Sequence, residues 1–337
     1  MTYRSEHLMR LVQGDHTDAV RALEDHTVEQ ALGDLDGQFD TLARSTLRAW
    51  VRLFGGPMAS AVAGTALDGL LAAIRAAVHR LLDQLGPRVG RILRGALPGA
   101  LTLGATQGVE FLRAASGRRR AMPRLRLPQA IADEADRMTA LVSDRRDGAL
   151  ALLTRGHVTR WSDLLHAIGA ARSAGTVVRA HTAWTVGRAV NAGLDAVADA
   201  AHLSRLWIAE ANACVRCLAY AGRIATPGNG FPGGLSWDPR SRNIGAGSID
   251  GPPVHAHCRC RTVAWNTRWR PDGIPFPEAL QREAQRSIAY GAGRPSESRN
   301  VRLRAVRELL RTTDDLLPAV EARARTAVHT GRFPVAA

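Results

Sequence analysis

The chain of 337 residues contains no lysine, so each of its 45 cationic residues is an arginine. Every cationic contact is therefore made by a guanidinium, which grips phosphates and carboxylates with paired donors and holds its charge at any working pH. Aromatic residues are scarce, at 5%. A chain so poor in them and so rich in Ala, Leu, Val and Arg is not that of a sandwich or barrel, and packed helices are expected instead. Long apolar runs are missing too. The most apolar stretch, Pro57 to Val78, carries Asp68, Arg75 and two internal glycines. A membrane span of about twenty residues does not carry these cheaply. The opening MTYRSEHLMRLVQGDHTDAV scatters charge where a secretory signal needs an apolar core, so a soluble protein made in a reducing cytoplasm is expected. There are only four cysteines. In such a compartment clustered cysteines hold metal more often than they form disulfides.

What is present begins with charge. A formal net charge of +14 and a pI of about 11.2 are expected of a protein that works beside nucleic acid or another acidic surface. An arginine-rich proteome is the bland alternative. The expected fold is mainly α, a helical body with a small Gly/Pro-rich, zinc-stabilised α+β module near the C-terminal third. Residues 1–115 read as amphipathic helices, among them Val28 to Leu35, Phe39 to Leu53 and Leu67 to Leu85. GALPGALTLGATQG, from Gly95, reads as the end of one helix and the start of another. Residues 116–129, SGRRRAMPRLRLPQ, form a basic, proline-containing linker. Its Arg118, Arg119, Arg120, Arg124 and Arg126 are candidate contacts to nucleic acid or a partner, and a solvated linker is the competing reading. Residues 130–268 form the next domain, helical to about Ala200, with the last helical pattern carried on through HLSRLW. After Gly222 comes a long segment dense in Gly, Pro, Ser and Asn, flanked by RIAT and RTVAW, which are expected to pair across it as short strands. Residues 269–337 read as a helical tail: a helix from Glu278 to Tyr290, a polar break GAGRPSESRN, and a charged helix from Val301 to Val328 divided at Pro318.

All four cysteines sit at the ends of that loop, in CVRC (Cys214, Cys217) and PPVHAHCRC (His255, His257, Cys258, Cys260). A CxxC turn presents two thiolates to one side, and a second pair returning from the loop completes a tetrahedral zinc site. Four ligands are needed and up to six are offered. H-x-x-C has a chelate spacing like that of the first half, so the preferred set is Cys214, Cys217, His255 and Cys258. Cys260 in place of His255 is the close alternative, and His257 is a further candidate. The site reads as structural, because four protein ligands close it and a loop with few large apolar side chains needs another source of order. Glu210 is the nearest candidate base, with a solvated or capping role preferred for it.

W-x-x-E from Trp207, CVRCLAYAGR, the Gly/Pro-rich loop, PPVHAHCRC and the closing RTVAW together resemble the phage head morphogenesis family, minor head proteins similar to the F protein of phage Mu. The likeness extends upstream to RAHTAWTVGRAVNAG, similar to the family's helix with an Asn-Ala pair. There Arg179 is followed by Ala180 and His181 where relatives often carry Thr and Glu, and Ala256 stands where they often have Pro. The resemblance covers residues 130–267 and is specific over 207–265. By position Cys214, Cys217, His255, Cys258 and Cys260 match its motif, and His257 falls at a variable place. What it implies is a low-copy virion protein at the portal vertex inside the head, synthesised in the bacterial cytoplasm, that aids assembly or the passage of DNA. The implied partners are the portal protein, the capsid shell and packaged DNA through its backbone phosphates, with no membrane, no small-molecule substrate and no catalytic residue. Two other classes combine zinc ligands with basic charge: a His-metal-finger nuclease and a zinc-dependent DNA-binding regulator. The first usually has CxxC in its second half, where this chain has CxC.

Overall fold

A computed structural model describes residues 2–62, 64–243, 246–293 and 297–333. Among these residues the fold is mainly α, with a small strand-containing module around the cysteines. The chain opens with β1 (Thr2–Tyr3) and α1 (Ser5–Arg10), followed by α2 (His16–Leu32), α3 (Leu35–Phe54), α4 (Thr65–Leu82), α5 (Leu85–Ser116), α6 (Gln129–Leu152) and α7 (Trp161–Ala200). Next come β2 (Ser204–Ile208), the single turn α8 (Val215–Leu218), β3 (Ile224–Ala225), β4 (Phe231–Pro232), β5 (Ser248–Ile249), β6 (Arg261–Trp265) and β7 (Arg270–Pro271). Helices α9 (Phe276–Tyr290), α10 (Arg299–Thr312) and α11 (Pro318–Thr330) end the chain. No helix among the described residues is long and apolar enough to cross a membrane.

The chain divides into two compact units: Met1–Ala22 with Gly99–Leu127 and Val186–Ala337, and Leu23–Pro98 with Pro128–Thr185. The segments expected from the sequence are consecutive, whereas each unit is assembled from separated stretches. In the second unit, α4 buries Leu67, Leu70, Leu71, Ile74 and Val78 at helical spacing. Gly86 and Gly90 let α5 lie against the backbone of α6, since a Cβ on either would stand 2.8 Å from Thr139 Cα or 2.7 Å from Ala135 O. Arg75 Nη1 donates to Leu150 O at 2.8 Å and Leu153 O at 3.2 Å at the end of α6, where Leu150 O also accepts from Leu153 N at 3.1 Å.

The first unit corrects three expectations. The Gly-rich stretch from Gly95 does not break the helix, for α5 runs unbroken through Pro98. Its small residues serve packing within this unit: a Cβ on Gly104 would fall on the Val190 carbonyl oxygen, and one on Gly193 would fall on that of Leu101. Backbone contact between α5 and α7 thus outweighs the poor helix propensity of glycine. Second, α7 stops at Ala200, where His202 takes a left-handed φ of 53°, and SRLWI leaves as a strand rather than helix. Third, RIAT and RTVAW do not pair with each other. They flank SRLWI in an antiparallel sheet of order β3-β2-β6, with Ser204 opposite Trp265 and Ile208 opposite Arg261.

One apolar core joins the cysteine module to the C-terminal helices, and includes Trp207, Tyr220, Phe231, Cys217, Cys258 and Cys260 together with Ile288, Val306, Leu309 and Val320. Trp207 stacks on Tyr220 at 4.5 Å. The last helical segment divides at Pro318 as expected, with the proline in the first turn of α11, where its missing N–H leaves no bond unmade. Arg294–Ser296 of the polar break, and Ile244 and Gly245 of the loop, lie outside the described residues.

The packing of α5 on α7 is sensitive to a single side chain. Gly104→Val is expected to destabilise the protein by about 2 kcal/mol or more, as overpacking against an unyielding backbone does. Gly95→Ala, in the same helix but with nothing within 4 Å, should leave the melting temperature unchanged or raise it. Thermal unfolding of the two variants checks this.

Candidate metal centre

The sheet brings the two cysteine motifs together. The β2–β3 hairpin is closed by Trp207 N to Arg223 O at 2.9 Å and Gly222 N to Trp207 O at 3.0 Å. Gly222 sits at φ 75° with no room for a Cβ, which would meet the Pro277 carbonyl. Between those strands Cys214, in extended backbone, starts the single turn α8, and Cys217 lies within it. The return half approaches through a cis Pro252–Pro253 peptide and a turn in which His257 takes φ 57°. Cys258 N then bonds His255 O at 3.2 Å, and Cys260 leads into β6. Because Ile208 pairs with Arg261, the residues after β2 and before β6 are neighbours, and the Glu210 backbone hydrogen-bonds to Cys260.

The ligand atoms form two triads that share Cys217: Cys214, Cys217 and His255, and Cys217, Cys258 and Cys260, with the atoms of each triad within 4.8 Å of one another. His255 Nε2 is 3.1 Å from Cys214 Sγ and 3.2 Å from Cys217 Sγ, and Cys217 Sγ is 3.6 Å from Cys258 Sγ. All four thiols are free. On its other side His255 Nδ1 lies 2.7 Å from Ala256 O, and a proton on Nδ1 would leave the Nε2 lone pair facing the sulfurs.

Protonation alternates around the cluster. The Cys217 hydrogen bond draws Cys214 down to about 4, against burial and with help from His255. Cys217 is pushed up by its hydrogen bonds to Cys214, Cys258 and Cys260. Cys258 is lowered by Cys217 and then Cys260. For Cys260 the Cys217 bond pulls down, but Cys258 and burial together raise it. His255 is raised: burial opposes its charge, and the bond from Cys214 and the field of Cys258 outweigh that. Buried groups this close share protons because adjacent thiolates repel. Ionised together, these sulfurs call for a divalent cation at their centre, and soft thiolates with one imidazole are a donor set that binds such an ion.

Five of the candidate ligands, Cys214, Cys217, His255, Cys258 and Cys260, are thus brought together. His257 belongs to neither triad and instead forms the turn. Glu210 is not solvated: it is 7% exposed, with Arg21 Nη2 at 3.1 Å and Arg259 Nη1 at 3.8 Å. Arg118, Arg119, Arg120, Arg124 and Arg126 are all exposed in the irregular stretch after α5.

Sequence reasoning assigned no part to the residues that fasten the site. Asn191, on α7, donates to Cys260 O at 3.2 Å and accepts from Thr262 N at 3.0 Å, clamping the start of β6. The Asn-Ala pair was its one signal. Glu297 Oε1 accepts from Val215 N at 3.1 Å beside Cys214, and burial raises its pKa. Asp238, 1% exposed, holds the loop to α10 through Arg304, at 2.8 and 2.7 Å. A second tie, Arg242 to Glu308 at 2.8 Å, lies nearby. Comparison of the chain with protein-family models, curated proteins and solved structures finds no match.

Cys217, as the candidate ligand common to both triads, should matter most. Cys217→Ser is expected to abolish metal retention, while His257→Asn, which tolerates a left-handed backbone, keeps it; elemental analysis of the purified variants decides. A second expectation concerns acid. The Glu308 carboxyl is held at about 2, by Arg311 first and by Arg242, against an ordinary 4.5. Its ion pairs therefore stabilise the fold fully above that ordinary value, weaken as pH falls through the interval, and are lost below the folded one. The stability gap between wild type and Glu308→Gln in urea unfolding should close across that range as the medium is acidified.

Proposed function

We propose that this chain is a minor head protein of a phage or prophage, associated with the portal vertex inside the capsid, with a structural zinc site. The observation that carries the proposal is the convergence of the motif residues. Trp207, the CxxC pair, His255, Cys258 and Cys260, which match the phage head morphogenesis family by position, belong to one small module, on β2 and in the segments that join β2 to β3 and lead into β6. That is the arrangement expected if the motif is a folding unit and not a chance run of cysteines.

Zinc suits the donor set. Ligand atoms around a tetrahedral zinc, at bonds of about 2.0 to 2.3 Å, stand about 3.5 to 3.8 Å apart. The 3.6 Å between Cys217 and Cys258 and the 3.1 to 3.2 Å from His255 Nε2 to two sulfurs need only small adjustments. The favoured set is Cys214, Cys217, His255 and Cys258, since His255 interacts with both Cys214 and Cys258. Cys260 adjoins it, in contact with Cys217 and Cys258. Four protein ligands leave no open position for a substrate, and the metal's work would be to order a module of short strands.

In this role the arginine-rich surface meets packaged DNA through backbone phosphates, and the portal protein or capsid shell through acidic patches. Quantitative mass spectrometry of purified particles from a producing strain is the test. A few copies per particle support the proposal, and their disappearance after DNA release marks an ejected protein. Particles that lack the chain while the cells contain it would sink the reading.

A further inference from the structure

The sheet that carries the cysteines at one end has a cleft of about 370 Å³ at the other, beyond Ser204 and Trp265. Four arginines line it: Arg118 and Arg120 from the stretch after α5, and Arg268 and Arg270 from the stretch after β6. All four are exposed, and no carboxylate lines the cleft. Arg146, Arg172, Arg304 and Arg311 each hold an acidic partner, whereas none of the cleft's four pairs with a carboxylate among the described residues.

Both segments are held locally. Ser116 Oγ donates to Leu112 O at 2.6 Å and accepts from Arg118 N at 3.3 Å. Asn266 Oδ1 accepts from Arg268 N at 2.9 Å, and Asn266 O accepts from Trp269 N at 3.0 Å. The Trp269 ring stands edge-on to Trp265 at 5.1 Å and forms an apolar wall. Arg270 is fixed in β7, which pairs with β1. The negative end of α5 accounts for a cation at Arg118, but not for the other three. Gathering four guanidiniums without a counter-charge costs self-repulsion that a bound polyanion removes.

We propose that this cleft binds the phosphodiester backbone of nucleic acid, with Arg118, Arg120, Arg268 and Arg270 as phosphate ligands and Trp269 as the wall against which a sugar or base lies. Arg119, Arg124 and Arg126 continue the cationic track along the exposed linker, which suits a repeating anion better than a single phosphate. The proposal deepens the DNA-binding role put forward above and rests on it for the choice of polyanion.

The test is fluorescence anisotropy of the full, metal-loaded chain with short labelled DNA of mixed sequence, duplex and single-stranded, over a salt series. Arg268→Ala/Arg270→Ala and Arg118→Ala/Arg120→Ala should each weaken binding and lower the slope of log K against log salt by about 1.4 to 1.8, at ~0.7 to 0.9 for each phosphate that is no longer neutralised. Arg48→Ala/Arg52→Ala, exposed arginines of α3 with the same change in charge, should leave the slope unchanged. Circular dichroism and metal content confirm that the variants fold. Weaker binding of both DNA forms supports a backbone track, and weaker binding of the single strand alone supports one that also stacks bases on Trp269. An equal effect in the α3 control, or unchanged slopes in both cleft variants, overturns the proposal. Particles without the chain would overturn the head-protein reading and leave this result standing.

Discussion

The interaction on which the rest of the first unit depends is the meeting of both cysteine pairs at Cys217. Between β2 and β6 the described strands have only two residues each, too short to hold together by ladder hydrogen bonds alone. Cys217, Cys258 and Cys260 also belong to the apolar core with Trp207, Tyr220 and Phe231. The same sulfurs therefore serve as ligand candidates and as packing atoms. An irregular loop is given a fixed path from both directions.

The rest of that path is secured by groups distant in sequence. Asn191 clamps the start of β6, and Thr262 Oγ1 next to it donates to Asp195 at 2.7 Å. Asp195 is so buried that its pKa is raised despite that bond. The Asp238–Arg304 pair fixes the far side of the loop to α10, and with Arg304 beside it Asp238 stays below the usual carboxylate range. Paired groups such as these add modest net stability, but removing one partner would leave a buried polar group or charge uncompensated. Their main effect is to select one arrangement of a glycine-rich segment over many.

Much of the fold and site was legible in the sequence for local reasons. Low aromatic content and helical periodicity point to α structure, Pro318 marks a helix start, and CxxC with HxxCxC marks a Cys/His cluster that could hold a metal ion. The failures share one cause. Gly95 to Gly108 looks like a break because glycine disfavours isolated helix, yet α5 continues because α7 approaches its backbone too closely for larger residues. SRLWI looks like the last turns of a helix until β3 and β6 are seen on either side of it. Glu210 looks solvated until Arg21 arrives from the N-terminal stretch.

By itself the sequence determined the helical class, the ligand types at the cluster and the all-guanidinium character of its positive charge, since these follow from composition and from spacings shorter than about one helical turn. Only the tertiary structure decided which ligands share Cys217, that His257 forms a turn outside both triads, and that arginines from the stretches after β6 and after α5 gather in one cleft. Those outcomes depend on strand register and on helices packing backbone to backbone. Both bring together residues far apart in the chain, and no local pattern records such meetings.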